Sequence, residues 1–173
     1  MIKVRRYTLV LAIYFNTRGF AFVLFEGYLA AFDWGLIETR GPRKHPRCLA
    51  RAKKILDRYQ PDFLVLRDAS TQGTRTARID SLNAAIREIA TSRGIPFHAY
   101  SRDYVQDAFA SAGAANKQSL AELIAKNIPT FERYVPPPRK PWMSEDPRMG
   151  LFDAVALGLV FFQKEAANGS AKG

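Results

Sequence analysis

Apolar residues fall in three short runs near the start of the chain, over 7–15, 19–26 and 29–37, rich in aromatic and β-branched side chains. Asn16-Thr17-Arg18 and Gly27-Tyr28 separate the runs with turn-forming residues. The pattern predicts three consecutive strands in an antiparallel meander. The spacing then becomes helical. In GPRKHPRCLARAKKILDRYQ, Cys48, Leu49, Ala52, Ile55, Leu56 and Tyr59 share one helix face and predict a helix over 46–59 with that face inward. Pro61-Asp62 stops it, and the run 63–66 has the composition of a buried parallel strand.

After a polar loop, Ile79, Leu82, Ala85, Ile86, Ile89 and Ala90 mark a second amphipathic helix, closed by Arg93-Gly94. Residues 95–100 read as a further strand, Ser101 caps a short helix, and Asn116 caps another that reaches 127. The stretch YVPPPRKPWMSEDP, 134–147, is an extended connector. Asp146-Pro147 then supplies a cap and first position for a last helix over 147–166. Residues 1–166 read as one domain, with a disordered tail over 167–173.

Charge changes the picture more than length does. The 173 residues are 47% hydrophobic, ordinary for a packed domain, but carry a formal charge of +10. Residues 1–60 hold 12 Lys/Arg against 4 Asp/Glu. A basic half points to a polyanion, nucleic acid before an anionic membrane surface; a solvated surface that only aids solubility is the plainer alternative. Cys48 is the single cysteine, so one chain can form neither a disulfide nor a thiolate zinc site. That suits a reducing, cytoplasmic setting. The opening MIKVRRYTLVLAIYF has the outline of a secretory leader but no small-residue cleavage site, and its composition suits a strand. No apolar run is long enough to span a membrane.

Five segments follow one another in a fixed order: LAIYFNTRGFAFVLFEG, FDWGLIETRG, PDFLVLRDAS, NKQSLAELIAK and PPPRKPWMSEDPRMGLFDAVALGLVF. Together, over residues 8–163, they resemble bacterial RuvC-like proteins, relatives of the Holliday-junction resolvases. The resemblance implies a ribonuclease H-like α/β fold, and the predicted order β-β-β-α-β-α-β-α agrees with it. Such a chain makes a mixed five-stranded sheet, a three-strand meander continued by crossover strands, flanked by helices.

The family hydrolyses phosphodiesters at two divalent ions, magnesium or manganese, gathered by four carboxylates. One ends the first strand, one ends the fourth, and two lie a turn apart on the last helix. Carried onto this chain, the first position is Tyr14, the second Arg67, and the last two Gly150 and Asp153. A neutral phenol is a poor magnesium ligand, and arginine is a fixed cation. Asp68 adjoins Arg67, but neighbouring strand residues face opposite ways. Asp146 lies seven residues before Asp153, about two helical turns. A rearranged catalytic and metal set would therefore draw on Asp153, Asp68 and Asp146, although Asp146 also serves as a helix cap. The losses agree with one another, so the expected centre is degenerate, without a metal cofactor and without cleavage; an active centre would require magnesium or manganese.

Nucleic-acid contacts are expected from the basic connector and helix. Arg47, Arg51, Lys54 and Arg58 fall at i, i+4, i+7 and i+11, one stripe preceded by Arg40, Arg43 and Lys44 and flanked by Lys53. The loop after the fourth strand adds Thr71, Gln72, Thr74, Arg75 and Arg78. The resemblance places Lys117 at the rim of the site, within reach of a phosphate. Arg139, Lys140 and Trp142 join charge to a stacking surface, although such a connector more often tucks its Trp into the core. His45 and His98 share no ligand spacing. The reading is a cytoplasmic RuvC-like protein, homodimeric as the resemblance implies, that binds structured or junction DNA around a decayed metal centre. A metal-dependent endonuclease and a protein-interaction module on the same scaffold are the alternatives.

Overall fold

The opening pattern folds as the meander it predicts: β1 (Val10–Phe15), β2 (Gly19–Phe25) and β3 (Ala31–Glu38) pair antiparallel in sequence. The computed structural model describes residues 7–68 and 77–170, the side chains of 169 and 170 excepted. β4 (Phe63–Asp68) lies parallel to β1, and β5 (Phe97–Ser101) parallel to β4, giving the sheet order β3-β2-β1-β4-β5. Among the described residues five α-helices accompany it: α1 (Lys44–Tyr59), α2 (Ala77–Ser92), α3 (Arg102–Ala110), α4 (Lys117–Asn127) and α5 (Met149–Ser170).

Strand alternation divides the apolar side chains between two cores. Leu11, Ile13, Leu64 and Leu66 pack with Cys48, Ala52 and Leu56 of α1 and with Leu82 and Ile86 of α2. Val10, Ala12, Val23 and Val65 face the other way, onto α4 and α5. Strands β1 and β2 are covered on both faces, which explains their nearly unbroken apolar runs. The edge strand β3 is only half covered and alternates.

Helix boundaries depart from expectation where capping differs. α1 begins two residues early, at Lys44, and is capped by Gln60, whose N–H makes a last helical bond to the Leu56 carbonyl at 2.9 Å and whose left-handed backbone (φ 44°) then turns the chain out of the helix. α5 begins at Met149 rather than 147, because Asp146 and Pro147 build a turn instead: the Asp146 carboxylate accepts from the Arg148 N–H at 2.9 Å. At its other end the helical backbone continues through 167–170, past the expected end; Lys164, Glu165, Ala166 and Ala167 favour helix, whereas Asn168, Gly169 and Ser170 do not. A 3-10 segment, Pro129–Tyr134, has no counterpart in the sequence expectations. Among the described residues no helix is long and apolar enough to cross a membrane.

Candidate functional site

The parallel strands β1 and β4 end side by side, placing Tyr14 and Arg67 on the face covered by α5. Arg67 Nη1 donates to the Tyr14 hydroxyl at 3.0 Å, and its guanidinium carbon lies 5.5 Å from the Tyr14 ring centroid. The first turns of α5 bring Gly150 and Asp153 beside them, so Tyr14, Gly150 and Asp153 line one cleft. From α4 comes Lys117, held at the first helical position by a reciprocal cap. The Asn116 side chain accepts from the Ser119 N–H at 2.9 Å, while the Ser119 hydroxyl accepts from the Asn116 N–H at 3.0 Å. The Lys117 ammonium then lies 2.7 Å from Glu145 and 3.4 Å from Asp153.

Burial sets the electrostatics. It pushes the Asp153 carboxyl up to about 6, against the pull of the Lys117 ammonium. It also lifts the Tyr14 phenol above its ordinary range, with the Asp153 charge adding to the effect. Burial opposes the charge on Lys117, but Asp153, Tyr14 and the contact with Glu145 together outweigh it and raise its affinity for the proton. Because folded Asp153 holds its proton more tightly than an unfolded aspartate, stability falls as pH rises from about 4 through 6 and then levels. The expected fall is about 2–3 kcal/mol. Asp153→Asn should remove it, as read by urea unfolding between about pH 4 and 7. An unchanged slope would place the proton uptake elsewhere.

These residues do not fit a pair of divalent ions. Magnesium wants several hard, anionic oxygens converging on one point. Here a phenol, a guanidinium and a glycine stand at the three positions beside Asp153, and an ammonium bridges the two nearby carboxylates. A carboxylate placed at position 150 would start close to Asn16, whose Nδ2 is 3.1 Å from where a Cβ would be. Nor is the rearranged set assembled. Asp68 is exposed at the strand end, turned from Arg67 by alternation, and lines neither cavity that Asp153 lines. Asp146 shares the cleft with Asp153, but Arg148 holds it at 2.7 and 2.9 Å and keeps its carboxyl below the usual range. Among the described residues no three His, Cys, Asp or Glu side chains are grouped to hold a metal.

The expected phosphate ligands separate into groups. Arg43, Arg47, Arg51, Lys54 and Arg58 are exposed, as the stripe requires. However, α1 packs on the opposite face of the sheet from Tyr14, Arg67 and Asp153. Only the beginning of α1 approaches the site: the Lys44 ammonium donates to the Thr17 carbonyl in the β1–β2 turn, and Arg78, near the start of α2, lines a cleft with both. Arg18, read from sequence only as a turn residue, lines the cleft of Asp153 on the other side of that turn. Arg75, with Thr71, Gln72 and Thr74, lies outside the described residues. Trp142 is 79% exposed rather than tucked into the core, with the Lys140 ammonium 5.4 Å from its ring centroid. Glu145, which nothing in the sequence marks out, is the second carboxylate on Lys117.

No family model and no curated protein matches the sequence. Solved structures do match. The RuvC of Thermus thermophilus in complex with a Holliday junction substrate aligns with a TM-score of 0.67 at 19% identity, over 91% of this chain and 96% of that one. A second Thermus thermophilus RuvC structure gives 0.65 at 20% identity, over 92% and 97%. The fowlpox virus Holliday junction resolvase gives 0.50 at 11%, over 91% and 99%. With the strand order and the two helical layers, these likenesses establish the architecture: the chain has the RuvC-like form of the ribonuclease H-like fold.

Proposed function

We propose that this chain binds structured DNA, four-way junctions foremost, and does not cut it. One observation carries the reading: the sheet-end site pairs Asp153 with Lys117 and sets Arg67 against Tyr14, where a metal-dependent nuclease needs converging carboxylates. A guanidinium at a strand end and an ammonium at a helix start can receive a phosphodiester, but they do not generate the metal-bound hydroxide that would attack it. Arg18, Lys44 and Arg78 extend the same positive edge around the β1–β2 turn. The working unit is a homodimer, because two copies related by a two-fold axis match the symmetry of a junction. The setting is the cytoplasm, in keeping with a single, buried cysteine.

Labelled four-way junction and matched duplex, each titrated with magnesium or manganese present, test this directly. Gel shift is expected to show a junction complex at lower protein concentration than the duplex complex, and a denaturing gel to show intact strands. Metal-dependent cutting that disappears in Asp153→Asn would overturn the non-cleaving reading. Equal retention of junction and duplex would overturn the preference for structure.

A further inference from the structure

Beside the Tyr14–Arg67 pair, a cavity of about 180 Å³ opens between β4, β5, α3, α4 and α5. Its helix side joins an apolar wall, built from Val105, Phe109, Leu120 and Leu157, to a polar rim of Arg102, Gln106, Lys117 and Asp153. On its sheet side, Arg67 and Tyr100, cross-strand partners on β4 and β5, both line it. Each carries a buried polar atom without a hydrogen-bond partner among the described residues, Nε of Arg67 and the hydroxyl of Tyr100. Tyr100 is only 5% exposed, so solvent does not satisfy it. Burial pushes its pKa up to about 12, which keeps the proton in place. A buried donor without a partner is unfavourable, and two of them on residues that line one cavity point to a ligand that supplies acceptors.

Size, shape and charge narrow that ligand. A dry apolar cavity of about 150 Å³ accepts benzene, so this one suits a single six-membered ring better than a fused pair. The apolar walls suit the flat faces of such a ring, and the Arg67 N–H and Tyr100 O–H need carbonyl or ring-nitrogen acceptors on its edge. Lys117 and Asp153, which pair with each other, also line the cavity, and Arg67 and Arg102 leave its lining net positive, favouring a ring tethered to phosphate over a neutral one. We propose that the cavity receives one unpaired pyrimidine base, its acceptor edge against Arg67 Nε and the Tyr100 hydroxyl. The inference rests on the nucleic-acid reading above and narrows it to strands with a base free to leave the stack. A free pyrimidine nucleotide offers the same chemistry, and the test separates the two sources.

Fluorescence anisotropy would compare a matched duplex with the same duplex carrying one bulged thymine. The wild-type chain is expected to favour the bulge by about tenfold. Val105→Phe, which fills the cavity, should abolish the preference. Tyr100→Phe should cut it several-fold without lowering the melting temperature, because the fold loses only an unpartnered hydroxyl; a merely structural tyrosine would lower the melting temperature and leave the ratio alone. Equal affinity for bulged and matched duplex, both bound, overturns the base cavity and leaves phosphate binding standing. If no DNA binds, thymidine monophosphate is titrated by NMR. Saturable shifts at the cavity would keep the pyrimidine site and overturn its nucleic-acid source, whereas no shift overturns both.

Discussion

Replacing Arg18, Lys44 and Arg78 together with glutamate lowers affinity for a four-way junction by about 100-fold or more, and takes about three units off the slope of log K against log salt. The three cations come from the β1–β2 turn and the beginnings of α1 and α2, and they converge because that turn is rigid. The Asn16 side chain accepts from the Arg18 and Gly19 N–H groups at 2.9 and 3.0 Å, and the Lys44 ammonium donates to the Thr17 carbonyl. One cleft against this turn is lined by Lys44 and Arg78, the other by Arg18 with Asp153. A backbone lying across the strand ends meets all three. Lys54 and Arg58 are a control on the same stripe. Arg58 lies fourteen residues beyond Lys44, about 21 Å along the axis of α1. Their reversal to glutamate should cost no more than a few-fold. If that pair proves as damaging as the triple, the nucleic acid lies along α1 rather than across the sheet end.

The stripe itself was legible in the sequence; its relation to the site was not. Spacing on one helix fixes which residues share a face, and Cys48, Ala52 and Leu56 point inward as their periodicity requires. Which side of the sheet that helix covers is a crossover property, and no local pattern states it. Tyr14 and Arg67 could be placed because the resemblance sets its acidic positions directly after the apolar runs of the first and fourth strands, where these two residues stand. Their mutual contact, and the apposition of Lys117 with Asp153 across thirty-six residues, needed the assembled sheet and helices. Glu145 and Arg18 escaped notice for the same reason. Each sits in a polar stretch whose residues explain themselves locally, as connector and as turn. The 3-10 segment was hidden because it buries one large side chain, Phe131, too few for a period. Trp142 shows the limit of composition, since a proline-rich connector fixes backbone direction without saying whether its aromatic turns in or out.

Gly158→Val should cost about 3 kcal/mol of stability, a fall in melting temperature of roughly 10 °C for a chain of this size. The reason is the closeness of α5 to β2. A Cβ at position 158 would stand 2.3 Å from Cε2 of Phe25, with two further ring carbons at 2.9 and 3.1 Å. Phe25 cannot swing aside: it is fully buried, and its ring packs edge-on against Phe162 at 5.8 Å. Valine is stiff at χ1 and cannot fold its methyl groups away from the contact. Replacing glycine within a helix normally gains up to about 1 kcal/mol, so a net loss here measures the packing contact after that gain has been absorbed. The consequence reaches the site, because Asp153 lies five residues earlier on the same helix and depends on the seat of α5 for its place beside Lys117. The variant should therefore melt earlier and also lose part of the pH dependence that Asp153 confers. A melting temperature within a degree or two of wild type would mean that α5 does not lie so close on β2, and that Asp153 is positioned by α4 instead.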